Sequence, residues 1–135
     1  MATRIVFSTF VLVLAACAPQ RDISQVSAAV DEFHSRLANH EYERISADAM
    51  PEFRKSMGPE RTSALFTRIS TKLGAPVSSQ FTRVQVNHMQ SGTFVQAHCQ
   101  TRFAGGFVEE QFTWRVDDER LRLVAYVARS PALDR

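Results

Sequence analysis

Glu110 lies between Val108 and Phe112, in a stretch where apolar and polar residues alternate. That alternation turns its carboxylate toward the apolar side of a strand. A carboxylate there is costly unless it is paired. Two roles fit it: a general acid, base or hydrogen-bonding anchor at the floor of a pocket, or a structural carboxylate matched by an arginine or tyrosine. Thr101, Trp114, Tyr42 and His88 are the residues expected to share such a pocket. Thr101 falls opposite Glu110 in the expected register, and His88 falls on the same face. His88 is nevertheless near a turn and on the strand furthest from Glu110, so a glutamate–histidine dyad is not expected.

Four histidines invite a metal reading: His34, His40, His88 and His98. The last two are assigned to opposite faces, and His34 and His40 are six residues apart, so they share no helix face. No pair has ligand spacing, and neither a metal nor a cofactor is expected. Serines and threonines are plentiful without a visible base partner. Gly105-Gly106 joins two strands and reads as a hairpin turn, not a phosphate-binding loop.

Helical periodicity dominates the first half of the chain. Ile23, Val26, Val30, Phe33 and Leu37 form one apolar stripe, with Asp22 or Ser24 as the expected cap and Asn39-His40 at the end. A second helix from Glu41 to about Ala49 is expected to bury Tyr42, Ile45 and Ala49, and Pro51 limits it. Phe53 and Met57 follow as core residues. Gly58-Pro59-Glu60 opens a third helix, whose apolar face is Leu65, Phe66, Ile69 and Leu73 and whose cap is Gly74.

From Phe81 the period becomes two. Strands are expected over 81–88, 93–104, 107–116 and 121–128, with turns at 89–92, at Gly105-Gly106 and at 117–120. This register sets Phe103 against Val108, Thr101 against Glu110, Cys99 against Phe112 and Ala97 against Trp114. It sets Trp114 against Leu123, Phe112 against Ala125, Val86 against Val95 and Val84 against Ala97. One face then carries Val84, Val86, Val95, Ala97, Cys99, Phe103, Val108, Phe112, Trp114, Leu121, Leu123 and Val127. The other is polar, interrupted by Phe81, Phe94 and Tyr126. The expected fold is α+β, three N-terminal helices packed on one face of a curved four-stranded antiparallel sheet.

The N-terminus supplies an address. Arg4, the apolar run Ile5 to Ala16 and the small residues before Cys17 have the build of a secretory signal, too short to span a membrane. Leu14-Ala15-Ala16-Cys17 resembles the lipobox of bacterial lipoproteins. That resemblance implies cleavage before Cys17 and three acyl chains on the new N-terminus, enough for firm anchoring. Ala18, where enterobacterial lipoproteins retained in the inner membrane carry aspartate, implies the outer membrane, facing the periplasm. The chain divides into a signal (1–16), a lipidated tether (17–22), one domain (23–130) and a tail (131–135).

The 135 residues less the first 16 leave 119, enough for one domain, and loss of Arg4 lowers the formal charge from +2 to +1. So balanced a chain has neither the basic face of a nucleic-acid binder nor a polybasic patch for acidic lipids. A hydrophobic content of 44% with ten phenylalanines suffices for a core. With Cys17 acylated, Cys99 has no partner for an intramolecular disulfide.

Pro51-Glu52-Phe53-Arg54, the helix closing at Leu73-Gly74 and the strand with Val95 and Cys99 resemble small bacterial exported domains of the nuclear transport factor 2-like, or cystatin-like, superfamily, over about Ser24 to Arg129. The resemblance implies a ligand-binding space between helices and concave sheet. Three functions are compatible with this reading. The first is a lipid-anchored, non-catalytic envelope domain that binds a small molecule or a protein. The second is a small enzyme using Glu110 as acid or base, and the third an assembly factor using the polar face. A sizeable interior cavity with convergent polar groups favours ligand or enzyme, and a filled core favours the interaction role.

Overall fold

The computed structural model describes the backbone of residues 19–135 and the side chains of residues 23–135. Cys17 and the whole of the signal lie outside the described residues. The order is α1 (Pro19–Ala38), α2 (Tyr42–Asp48), α3 (Pro51–Leu73), β1 (Pro76–Met89), β2 (Gly92–Phe103), β3 (Gly106–Asp117) and β4 (Arg120–Arg129). The strands form one antiparallel sheet in the order β1-β2-β3-β4. The α+β class follows.

α1 starts at Pro19, so Asp22 and Ser24 lie inside the helix instead of capping it. Its stripe buries Val26, Val30, Phe33 and Leu37, whereas Ile23 at the near end is exposed. His40, with φ 58°, ends it: Glu41 N–H donates to Arg36 O and His40 N–H to Leu37 O, satisfying the last carbonyls. Pro51 both limits α2 and opens α3 as its first residue, where a missing N–H is harmless. The helix expected to begin at Gly58 is the second limb of α3, which is kinked where Gly58 adopts φ 68°. Phe53, Phe66, Ile69 and Leu73 are buried. The link between α2 and α3 is pinned to β4: Met50 N–H donates to Leu123 O at 2.8 Å, and Arg122 reaches Ala49 O at 3.0 Å.

The alternation in β2 and β3 is clear. Val95, Ala97, Cys99, Thr101 and Phe103 are buried on one strand, and Val108, Glu110, Phe112 and Trp114 on the next. These apolar residues and those of the helices belong to one core, which Leu133 of the expected tail also enters.

The register departs from expectation in three places. Ala104 and Gly105 occupy the β2–β3 turn, so Phe103 pairs with Gly106, Thr101 with Val108, Cys99 with Glu110, Ala97 with Phe112 and Val95 with Trp114. The helix end decides this. Ala104 N–H donates to Ala75 O at 3.0 Å and Gly105 N–H to Leu73 O at 2.7 Å. Moving the turn by one residue slides the pairing by two, which preserves the buried face.

The second departure is a bulge in β4. Thr113 pairs with Ala125 and Trp114 with Leu123, leaving Val124 extra. Beyond it the faces exchange: Tyr126, expected on the polar face, is buried opposite Phe112, and Val127, expected in the core, is exposed. The third is a bulge in β1 at Thr82, between the pairs Phe81–Cys99 and Arg83–His98. It turns Phe81 toward the core, against which it packs half-buried. The pairs Val86–Val95 and Val84–Ala97 are as expected, although Val86 is exposed.

Candidate functional site

Buried polar residues of three elements meet at Glu110. β3 buries it between Val108 and Phe112, at 1% exposure. His34 Nε2 donates to Oε1 at 2.8 Å from α1, and Tyr126 Oη donates to Oε2 at 2.6 Å from β4. Each oxygen thus has one donor, which offsets the desolvation of a carboxylate in the core. Among the described residues no buried side-chain nitrogen or oxygen lacks a partner.

The chain of contacts continues beyond the imidazole. His34 Nδ1 lies 3.4 Å from Ser79 Oγ on β1, and Ser79 Oγ lies 2.8 Å from Thr101 Oγ1 on β2. The rings of Phe33, Phe103 and Phe112 stand edge-on around His34, with centroids 5.9, 6.2 and 6.1 Å away. This apolar collar sharpens every charge inside it. Burial and the Glu110 charge raise the Tyr126 hydroxyl well above its ordinary range. The same two causes push the Cys99 thiol, opposite Glu110 in the ladder, up to about 12. Cys99 is therefore a protonated, buried, unreactive thiol.

The other expected site residues do not converge on Glu110. Thr101 is fully buried but pairs with Val108, and reaches Glu110 only through Ser79 and His34. Trp114 is buried and stacked on Phe112, with ring centroids 5.0 Å apart. It lines a cavity of about 60 Å³ whose mouth carries Glu32, Arg36, Asp48 and Arg120. His88 is exposed on β1 and contacts Thr93 Oγ1 at 3.1 Å. Tyr42 is half-buried, its hydroxyl 2.7 Å from His40 Nδ1 and 2.8 Å from Ser70 Oγ.

Tyr42 opens onto a surface groove of about 770 Å³ between α2 and α3, which Arg44, Arg54, Pro59 and Ser63 also line. Both arginines there have partners. Arg44 pairs with Glu41 at 2.6 Å, and Arg54 closes the end of α2 by donating to Ala49 O at 2.7 Å.

His34, Tyr126 and Ser79 are the members of the site that sequence patterning passed over. His34 carried a signal, since it lies four residues after Val30 and three before Leu37, on the buried stripe itself. The other two turn inward only because of the bulges, and single inserted residues leave no periodic trace. No protein-family model matches the chain, and no curated protein matches it.

Proposed function

We propose that this chain is a lipid-anchored protein of the bacterial cell envelope, held by acyl groups on Cys17. Its domain has three helices packed on one face of a curved sheet, as in the nuclear transport factor 2-like fold, and binds a protein partner without using Glu110 as an acid or base. The observation that carries this reading is the filled interior. Both oxygens of the carboxylate that would have served a pocket are taken by His34 and Tyr126. The cavity beside Trp114 holds about 60 Å³, against the several hundred that small-molecule sites occupy. Recognition then falls to the surface, where the groove of about 770 Å³ between α2 and α3 has room for a partner's side chains.

A photo-crosslinking residue placed at Ser63, within the groove, tests this in the membrane-anchored protein. The expected result is one discrete protein adduct at Ser63 and none at Glu119 in the β3–β4 turn. A small molecule retained stoichiometrically in native mass spectrometry, with no adduct at Ser63, would replace the protein-partner reading by a small-ligand one.

A further inference from the structure

The buried polar chain ends at a hydroxyl that solvent reaches. Ser79 is exposed, His34 behind it is 9% exposed, and Glu110 behind that is sealed at 1%. An ionised Glu110 offers only lone pairs, so the nitrogen facing it, Nε2, is the one that carries the proton. In a neutral imidazole the remaining lone pair is then on Nδ1, and Nδ1 is the atom that faces Ser79 Oγ. Tyr126 holds the second carboxylate oxygen and Thr101 holds the serine hydroxyl. Hydroxyl, base and orienting carboxylate stand in the order of an activated nucleophile.

The geometry points to Ser79 as a nucleophile for acyl transfer from a carboxylic ester, with His34 as its general base and Glu110 as a positioning residue. His34 Nδ1 takes the hydroxyl proton as Ser79 Oγ bonds to the acyl carbon. The ester C–O bond then breaks, and the leaving alcohol departs with that proton. Water next loses a proton to Nδ1 and attacks the acyl carbon; the bond to Oγ breaks and Oγ recovers the proton. Ester and water have become acid and alcohol. The separation of 3.4 Å suits a resting site, where such contacts tighten once substrate arrives. Among the described residues β1 has a strand neighbour on one side alone, and the main-chain N–H groups of an unpaired edge are of the kind that stabilise an oxyanion. Ser79 is exposed, so an ester carbonyl can reach its hydroxyl from solvent. This activity is independent of partner binding in the groove, and failure of either leaves the other standing.

A fluorophosphonate probe and p-nitrophenyl acetate test it on the purified domain. One phosphonyl group per chain is expected, mapped to Ser79, absent from Ser79→Ala and unchanged in Ser78→Ala. His34→Gln should slow labelling about a hundredfold and flatten its rise with pH, a loss that a purely structural histidine would not cause. Glu110→Gln should slow labelling of Ser79 and Glu110→Asp should restore part of the rate, as expected of a carboxylate that holds the imidazole in place. Ser79→Cys leaves the core intact and covers the case in which the core variants unfold. At about pH 6 its thiol should be alkylated by iodoacetamide about tenfold faster than that of Ser78→Cys. A wild-type domain without an adduct on Ser79, equal labelling of Ser78, or equal alkylation of the two cysteine variants would overturn the proposal.

Discussion

Tyr126 closes the second oxygen of Glu110, and its removal isolates the energetics of that contact. Tyr126→Phe keeps the ring among Phe33, Phe66 and Phe112 but deletes the donor. A loss of about 1.5–3 kcal/mol is expected in urea unfolding, the range for a hydrogen bond to a charged group. An unchanged midpoint would mean that water replaces the phenol. The alkaline side gives a second test. Folding raises both Tyr126 and Cys99, so above their unfolded values of 10.0 and 9.0 the unfolded chain loses protons that the native one keeps. Stability is then full below about pH 9 and falls as pH rises toward about 12, by up to about 1.4 kcal/mol per pH unit for each group. Cys99→Ala should make that descent shallower, as equilibrium unfolding between pH values in this window would record.

At the scale of elements, helix spans and strand alternation were legible because burial enforces periods of 3.6 and two over many residues. The stripe Val26, Val30, Phe33 and Leu37 and the pairs Val86–Val95 and Trp114–Leu123 stand where the pattern puts them. The β2–β3 turn did not, because two adjacent glycines allow either position and the choice is made by the end of α3, far away in sequence. Glu110 was legible as an anomaly; its partners were not. Gly105 is the residue through which α3 exerts this control. A Cβ there would stand 3.1 Å from the Leu73 Cα and from the carbonyl oxygens of Leu73 and Lys72, all of them backbone. Gly105→Ala should therefore cost about 1–3 kcal/mol, the range for overpacking. Chemical denaturation measures it, and a neutral result would show that the turn moves freely away from α3.

In the function proposed above, the address and the core of the molecule depend on different residues. No helix among the described residues is long and apolar enough to cross a membrane. Cys17→Ser should move the protein from the detergent phase to the aqueous phase or leave an uncleaved precursor, with the domain's unfolding midpoint unchanged. A wild-type mature chain that is unmodified and partitions into water would defeat the anchoring proposal. Core and C-terminus, by contrast, are coupled: Leu133 is buried and its carbonyl accepts from Arg68 on α3. The last residues thus belong to the folded unit.

The extra residue in β4 acts on the strand as a frameshift acts on a gene. Every side chain downstream of Val124 is read on the opposite face, and Tyr126 meets Glu110 only in that shifted frame. Point substitutions along the strand leave the frame intact. Deleting Val124 alone would close the bulge, so that Ala125 followed Leu123 directly and Tyr126 still paired with Phe112 on the buried face. The carboxylate would then keep both of its donors, whereas flattening the bulge with all residues retained would turn Tyr126 outward and remove one of them. The contact between Tyr126 and Glu110 thus rests on one residue standing out of the ladder as much as on the identity of the pair.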